Sequence, residues 1–92
     1  MKLHLSRWVC QDVESNLRRF TDEARRAVDA GAQIVVFPEL FLTGYERVVE
    51  SARARGVFAE ISESSDEVLF VFGSISENGR NRVTVWLGGA EV

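Results

Sequence analysis

The chain has 92 residues, and among them one cysteine, one proline, one lysine and one histidine. With Cys10 alone, no internal disulfide can form, a usage that fits the reducing cytoplasm. His4 has no cysteine or carboxylate cluster beside it in sequence, so no metal site is expected. Pro38 is the sole proline, and no proline-rich linker divides the chain. No apolar run approaches the ~20 residues that cross a bilayer. The opening Met1-Lys2-Leu3-His4-Leu5 meets polar Ser6 and Arg7 too early for a secretory signal. The expectation is a soluble cytoplasmic protein without a membrane partner.

Positive charge is also scarce. Eleven basic residues face 14 acidic ones, for a net charge of −3. A nucleic-acid surface needs a basic patch, so no nucleic-acid partner is expected. Arg18, Arg19, Arg25 and Arg26 cluster, but Asp22, Glu23 and Asp29 interleave with them, as on a solvated helix face. No glycine-rich phosphate loop is present, and no cofactor is implied.

What the chain does have is a globular balance, 46% hydrophobic and 27% charged. Its length points to one domain at most. A domain of this size buries only about 65% of the surface its unfolded chain exposes, so any gap in its core is costly.

The residues order themselves as strand, helix, strand, short helix, strand, strand. Residues 2–11 carry Leu3, Leu5, Trp8, Val9 and Cys10 and read as a first strand, in which Cys10 is a small core residue. Asp12 or Ser15 can cap the helix that follows. Val13, Leu17, Phe20, Ala24, Ala27 and Val28 trace one helical stripe, with Glu14–Arg18 and Asp22–Arg26 four apart on the outer side. Gly31 suits the helix end.

Ile34-Val35-Val36-Phe37 is a short, β-branched apolar run of the kind that forms a buried strand, which Pro38 stops. Strand, amphipathic helix and strand make a βαβ unit. Ligands of open α/β sheets bind beyond the carboxyl ends of their strands, where Glu39 stands. Glu46 to Arg55 reads as a short helix closed by Gly56, and residues 57–67 as loop or frayed helix. Val68 to Ile75 is a further buried strand. Asn78-Gly79 is a strong hairpin signal, and residues 82–87 return as the antiparallel partner, with Val83, Val85 and Leu87 on one face. Gly88-Gly89 marks another turn.

Several pieces in fixed order carry a resemblance. Gln11 ends the opening segment, Asn16 leads the helix, Gly31-Ala32 makes the turn, and Phe37-Pro38-Glu39 follows the apolar strand. Thr43-Gly44-Tyr45 comes next, and then Gly73-Ser74-Ile75-Ser76-Glu77-Asn78-Gly79 with Asn81. In this combination the chain resembles the nitrilase, or carbon–nitrogen hydrolase, superfamily. The resemblance covers nearly all of residues 1–92 but only the N-terminal part of that family's domain. It implies an α/β fold, here a partial α-β-β-α sandwich in β-α-β-α-β-β order.

It also implies hydrolysis or transfer at non-peptide C–N bonds of small amides, carbamoyl compounds or nitriles. The family's set is a glutamate, a lysine and a cysteine in that chain order. The glutamate, a general base, maps onto Glu39. The lysine and cysteine come later in the family pattern, whereas Lys2 and Cys10 precede Glu39 and match neither. The chain therefore reads as a truncated piece that is inactive alone.

Glu39 is the candidate catalytic residue. Phe37, Phe41 and Tyr45 are expected to wall it, and an apolar wall would favour its work as a base. Tyr45 is the candidate substrate-pocket residue, set against ordinary packing with a bonded hydroxyl. Trp8 and Trp86 read as core or sheet-face residues, and Glu77 and Asn81 as hairpin residues that could also support the site. Two other readings stand beside the hydrolase. One is a non-catalytic module whose exposed sheet edge pairs with a partner or, as a homo-oligomer, with a second copy. The other is an unrelated flavodoxin-like unit, which the hairpin signal counts against.

Overall fold

A computed structural model of the chain describes residues 1–39, 41–44, 51–77 and 80–92, excluding the side chains of residues 51, 74–77, 80 and 81. Five strands and two helices follow in the order β1 (Leu3–Leu5), α1 (Val13–Asp29), β2 (Ile34–Phe37), α2 (Ser51–Glu63), β3 (Leu69–Glu77), β4 (Arg80–Leu87) and β5 (Ala90–Glu91). The expected order is found, with one short strand added at the end.

Helix α1 starts where Asp12 caps it. The Asp12 carboxylate accepts from the Ser15 backbone N–H at 2.9 Å and from the Ser15 hydroxyl at 2.8 Å. That choice between the two candidate caps follows from geometry, since a carboxylate one residue before the first turn reaches the orphan N–H groups. The helix ends at Ala30, and Gly31 takes a positive φ of 89°. The Ala32 N–H then closes on the Ala27 carbonyl at 3.0 Å. Leu17, Phe20, Ala24 and Ala27 are buried, as their spacing requires. On the outer side Glu14 pairs with Arg53 of α2 at 2.7 Å.

The strands form one mixed sheet in the order β1-β2-β3-β4-β5. The first three are parallel, with Leu3 opposite Ile34 and Ile34 opposite Leu69. Strand β4 returns antiparallel to β3, with Phe70 opposite Trp86, and β5 antiparallel to β4. The crossovers through α1 and α2 leave both helices packed into one core on the same side of the sheet.

That face is the core. Val35, Phe37, Phe70, Phe72, Thr84 and Trp86 turn towards the helices and are buried against Phe20, Ala54, Phe58 and Ile61. Six phenylalanines dominate it, in edge-on, tilted and stacked pairs; Phe20 and Phe37 meet edge-on, 4.7 Å apart at 85°, and Phe58 and Phe72 stack at 4.3 Å. The opposite face carries the alternate residues, and among the described residues none forms a second layer over it.

Three expectations are corrected. The first strand is only Leu3–Leu5, because the Trp8 ring leaves the sheet plane to meet Phe37 and Phe41 edge-on at 5.7 and 5.4 Å. Arg19 holds this departure, donating to the Arg7 and Val9 carbonyls and lying 4.8 Å over the Trp8 ring. Cys10 is consequently exposed and not a core residue. Gly56 does not close a helix; α2 runs through it to Glu63, because Ala54, Phe58 and Ile61 share a buried face that outweighs the glycine penalty. Asn78 and Gly79 lie outside the described residues, but the strands they join meet with Glu77 opposite Arg80. Among the described residues no helix is long and apolar enough to cross a membrane.

Candidate active site

The candidate site is built where β2 runs out. Phe37 is the last residue of the ladder, opposite Phe72. Pro38 has no N–H to continue it, and Glu39 follows at the carboxyl end of the strand, exposed to solvent.

The backbone that carries Glu39 is seated on Gly73. A Cβ added to Gly73 would lie 2.0 Å from the Pro38 carbonyl oxygen and 2.5 Å from the Glu39 nitrogen. The β3–β4 register shifts between Phe72 and Ile75, at this same place. Only a residue without a side chain lets the Pro38–Glu39 peptide approach so closely.

Beyond Glu39 the chain dives back into the protein. Phe41, Leu42 and Thr43 are all buried. The Asn16 side chain, 1% exposed, holds this return. Its Nδ2 donates to the Leu42 carbonyl at 2.8 Å and to the Gln11 carbonyl at 3.0 Å. Its Oδ1 accepts from the Gln11 N–H at 2.9 Å. One buried amide thus ties the segment before α1 to the segment after β2 through backbone groups.

The expected apolar wall around Glu39 is corrected. Phe37 and Phe41 are each 1% exposed and face the helix-side core, where they meet Phe20 and Trp8. The period of two along β2 dictates this for Phe37, which shares the side of buried Val35. Tyr45, the candidate pocket residue, lies outside the described residues. The side chains of Glu77 and Asn81 do so as well.

Three other chemically notable residues have ordinary partners. Lys2 donates from Nζ to the Ala30 carbonyl at 2.6 Å. The Cys10 thiol contacts the Asn16 amide at 3.3 Å, in the connection leading to α1. His4 pairs with Glu23 at 3.0 Å across β1 and α1. Among the described residues no group of three or more His, Cys, Asp or Glu could hold a metal ion. A groove of about 620 Å³ between α1 and α2 is lined by alternating charges, including Glu14, Arg18, Asp22 and Arg53, and does not include Glu39.

The sequence pointed to Glu39 but assigned no role to Gly73 or Asn16. A signal for Asn16 was available: it sits four residues before Phe20, on the apolar stripe of α1, where a polar side chain needs a specific partner. Gly73 stood out only as part of a motif, and its structural role was not legible there, because the Pro38–Glu39 backbone it accommodates is distant in sequence.

The family model described as carbon-nitrogen hydrolase matches residues 4–87. Among solved structures, an amidase from Nesterenkonia sp. is similar at 24% identity with a TM-score of 0.75, over 100% of this chain and 40% of that one. A variant of that amidase, showing Michael addition of acrylamide at its active-site cysteine, matches at 23% identity and TM-score 0.75, over 100% and 42%. A glutamine-dependent NAD+ synthetase from Acinetobacter baumannii, in complex with ADP, matches at 24% identity and TM-score 0.71, over 98% of this chain and 19% of that one. The chain thus spans about two fifths of the amidase and one fifth of the synthetase. Comparison with curated proteins gives no match.

Proposed function

The chain belongs to the carbon–nitrogen hydrolase family, and on that premise we propose that it forms the Glu39-bearing part of a hydrolase acting on non-peptide C–N bonds. Small amides, carbamoyl compounds or nitriles are the substrates. The observation that carries this reading is the seating of Glu39 at the carboxyl end of β2, between Gly73 below and the loop tied by Asn16 beyond.

In this reading Glu39 is the general base. It takes the proton from an attacking thiol and passes it to the substrate nitrogen, which departs as ammonia or an amine when the C–N bond breaks. It then takes a proton from the water that releases the acyl group as an acid, and returns it to the thiol. The thiol attacks the carbonyl or nitrile carbon, and a cation stabilises the charge that develops on the substrate heteroatom. Lys2 and Cys10 do not fill these roles, since Lys2 is engaged by the Ala30 carbonyl and neither matches the family order. In this reading the lysine and cysteine are supplied by segments other than these 92 residues. The amidase matched above has an active-site cysteine of its own.

The test has two arms. The 92-residue chain, offered a panel of amides and nitriles, is expected to show no turnover; turnover abolished by Glu39→Ala would refute the division of roles. The chain fused in place of the corresponding first two fifths of the amidase is expected to hydrolyse amides, and to lose that activity on Glu39→Gln.

A second reading, a non-catalytic association module, draws support from the sheet face opposite the helices, which no described residue covers with a second layer. The edge strands β1 and β5 are only three and two residues long, which favours the face over the edge as the contact surface.

A further inference from the structure

We propose that Asn16 is a positioning residue for Glu39, its buried amide fixing the far end of the loop that carries the carboxylate. The inference rests on the reading of Glu39 as a general base.

Glu39 stands between two fixed points of main chain. The near one is the Pro38–Glu39 peptide, pressed on Gly73 so closely that an added Cβ would meet the Pro38 carbonyl oxygen at 2.0 Å. The far one is the Leu42 carbonyl, which accepts from Asn16 Nδ2 at 2.8 Å. The four-residue step between these carbonyls spans at most about 14 Å, so fixing both ends leaves the Glu39 backbone little room to swing. Phe41 and Leu42 are also buried, but apolar burial has no direction. The hydrogen bond to the Leu42 carbonyl sets where that group points.

The amide is itself a rigid post. Asn16 is buried, its Oδ1 accepts from the Gln11 N–H at 2.9 Å, and its Nδ2 donates to the Gln11 carbonyl at 3.0 Å as well as to Leu42. Turning the amide over would set its oxygen against two carbonyl oxygens, so only one orientation makes all three bonds. One turn further along α1, Phe20 meets Phe37 at 4.7 Å and Phe41 at 4.9 Å. Helix α1 therefore grips the chain on both sides of Glu39, by ring contact before it and by ring contact and hydrogen bond after it. Past Leu42 the loop stays against the same segment: Gly44 has a positive φ of 63°, and a Cβ there would lie 3.3 Å from the Cys10 sulfur.

A general base acts only within hydrogen-bond reach of the proton it takes. A displacement of about 1 Å can cost roughly 10²-fold in rate. Loss of the Leu42 bond should therefore lower kcat. It should leave KM nearly unchanged, because Asn16 is too deeply buried to touch a substrate.

Asn16→Ala and Asn16→Asp test this, each made also with Gly56→Ala, whose added Cβ meets nothing within 4 Å and whose helix propensity offsets part of the lost stability. The aspartate keeps an acceptor for the Gln11 N–H but cannot donate to Leu42. In the 92-residue chain, backbone amide relaxation is expected to give Glu39 and Phe41 order parameters of about 0.85 in the parent and below about 0.6 in both variants. In the amidase fusion, at circular dichroism matched to the parent, both variants are expected to lower kcat about 10–100-fold. A double-mutant cycle with Glu39→Gln separates positioning from general destabilisation, since the Asn16 effect should vanish once the base is gone. Asn16 and Glu39 effects that simply multiply, an Asn16→Asp fusion with parental kcat, a parent chain with a mobile Glu39 backbone, or failure of every Asn16 variant to fold would each overturn the proposal. A fusion indifferent to Glu39→Gln would instead refute the general-base reading, and the proposal with it.

Discussion

Gly73 and Pro38 touch through their backbones: a single carbon added to Gly73 would sit 2.0 Å from the Pro38 carbonyl oxygen. No rotamer relieves such a clash, because both partners are main chain. Gly73→Ala must push the Pro38–Glu39 peptide off the sheet, and the expected cost is about 3 kcal/mol, at the upper end for overpacking. Urea denaturation measures the loss. Accessibility of the β2–β3 amides to hydrogen exchange shows whether opening is centred on Phe37 and Phe72.

Asn16→Ala removes a buried amide from three backbone hydrogen bonds at 2.8–3.0 Å. The Leu42 carbonyl and the Gln11 N–H lose their partner, and each unsatisfied buried group costs about 1–3 kcal/mol. A total loss of about 3 kcal/mol is expected by denaturant unfolding. Asn16→Asp recovers only the Gln11 N–H contact, because a carboxylate cannot donate to Leu42, and should be nearly as damaging.

Gly56 sits inside α2, and an added Cβ there meets nothing within 4 Å. Gly56→Ala therefore gains helix propensity without a clash. The expected gain is about 1 kcal/mol, seen as a rise of roughly 4–8 °C in melting temperature for a domain this small. No change in association is expected, since α2 lies on the covered side of the sheet.

The Asp12 carboxyl is held below its ordinary pKa, first by the Ser15 backbone N–H and then by the Ser15 hydroxyl. A carboxyl depressed in the folded state contributes stability above its unfolded pKa and loses it as pH falls through the folded value. Asp12→Ala should therefore lower the melting temperature near neutrality, with the gap to the parent closing at pH below the ordinary aspartate range. A gap that widens on acidification would contradict the capping role.

How much of this could be read beforehand varies with the range of the interaction. The α1 stripe, its stop at Gly31 and the β2 run were plain because they rest on local spacing, and Phe37-Pro38-Glu39 drew attention by its place at a strand end. The environment of Glu39 was misjudged. Sequence proximity suggests a phenylalanine wall, but Phe37 and Phe41 are drawn to the Phe20–Phe58–Phe72 cluster on the helix side. The passage of α2 through Gly56 was missed for a related reason, since the buried face formed by Ala54, Phe58 and Ile61 becomes decisive only against β3 and β4. Asn16 and Gly73 act through partners distant in sequence, which composition and periodicity do not report.

In the proposed reading Glu39 is a base held in place for chemistry on a C–N bond. The most direct measurement is kcat/KM for amide hydrolysis by the amidase fusion, compared with its Glu39→Gln form at matched circular dichroism. A fall of about 10²–10⁴-fold is predicted, the usual worth of a general base. A Glu39→Gln fusion that hydrolyses amides as well as its parent would contradict the claim.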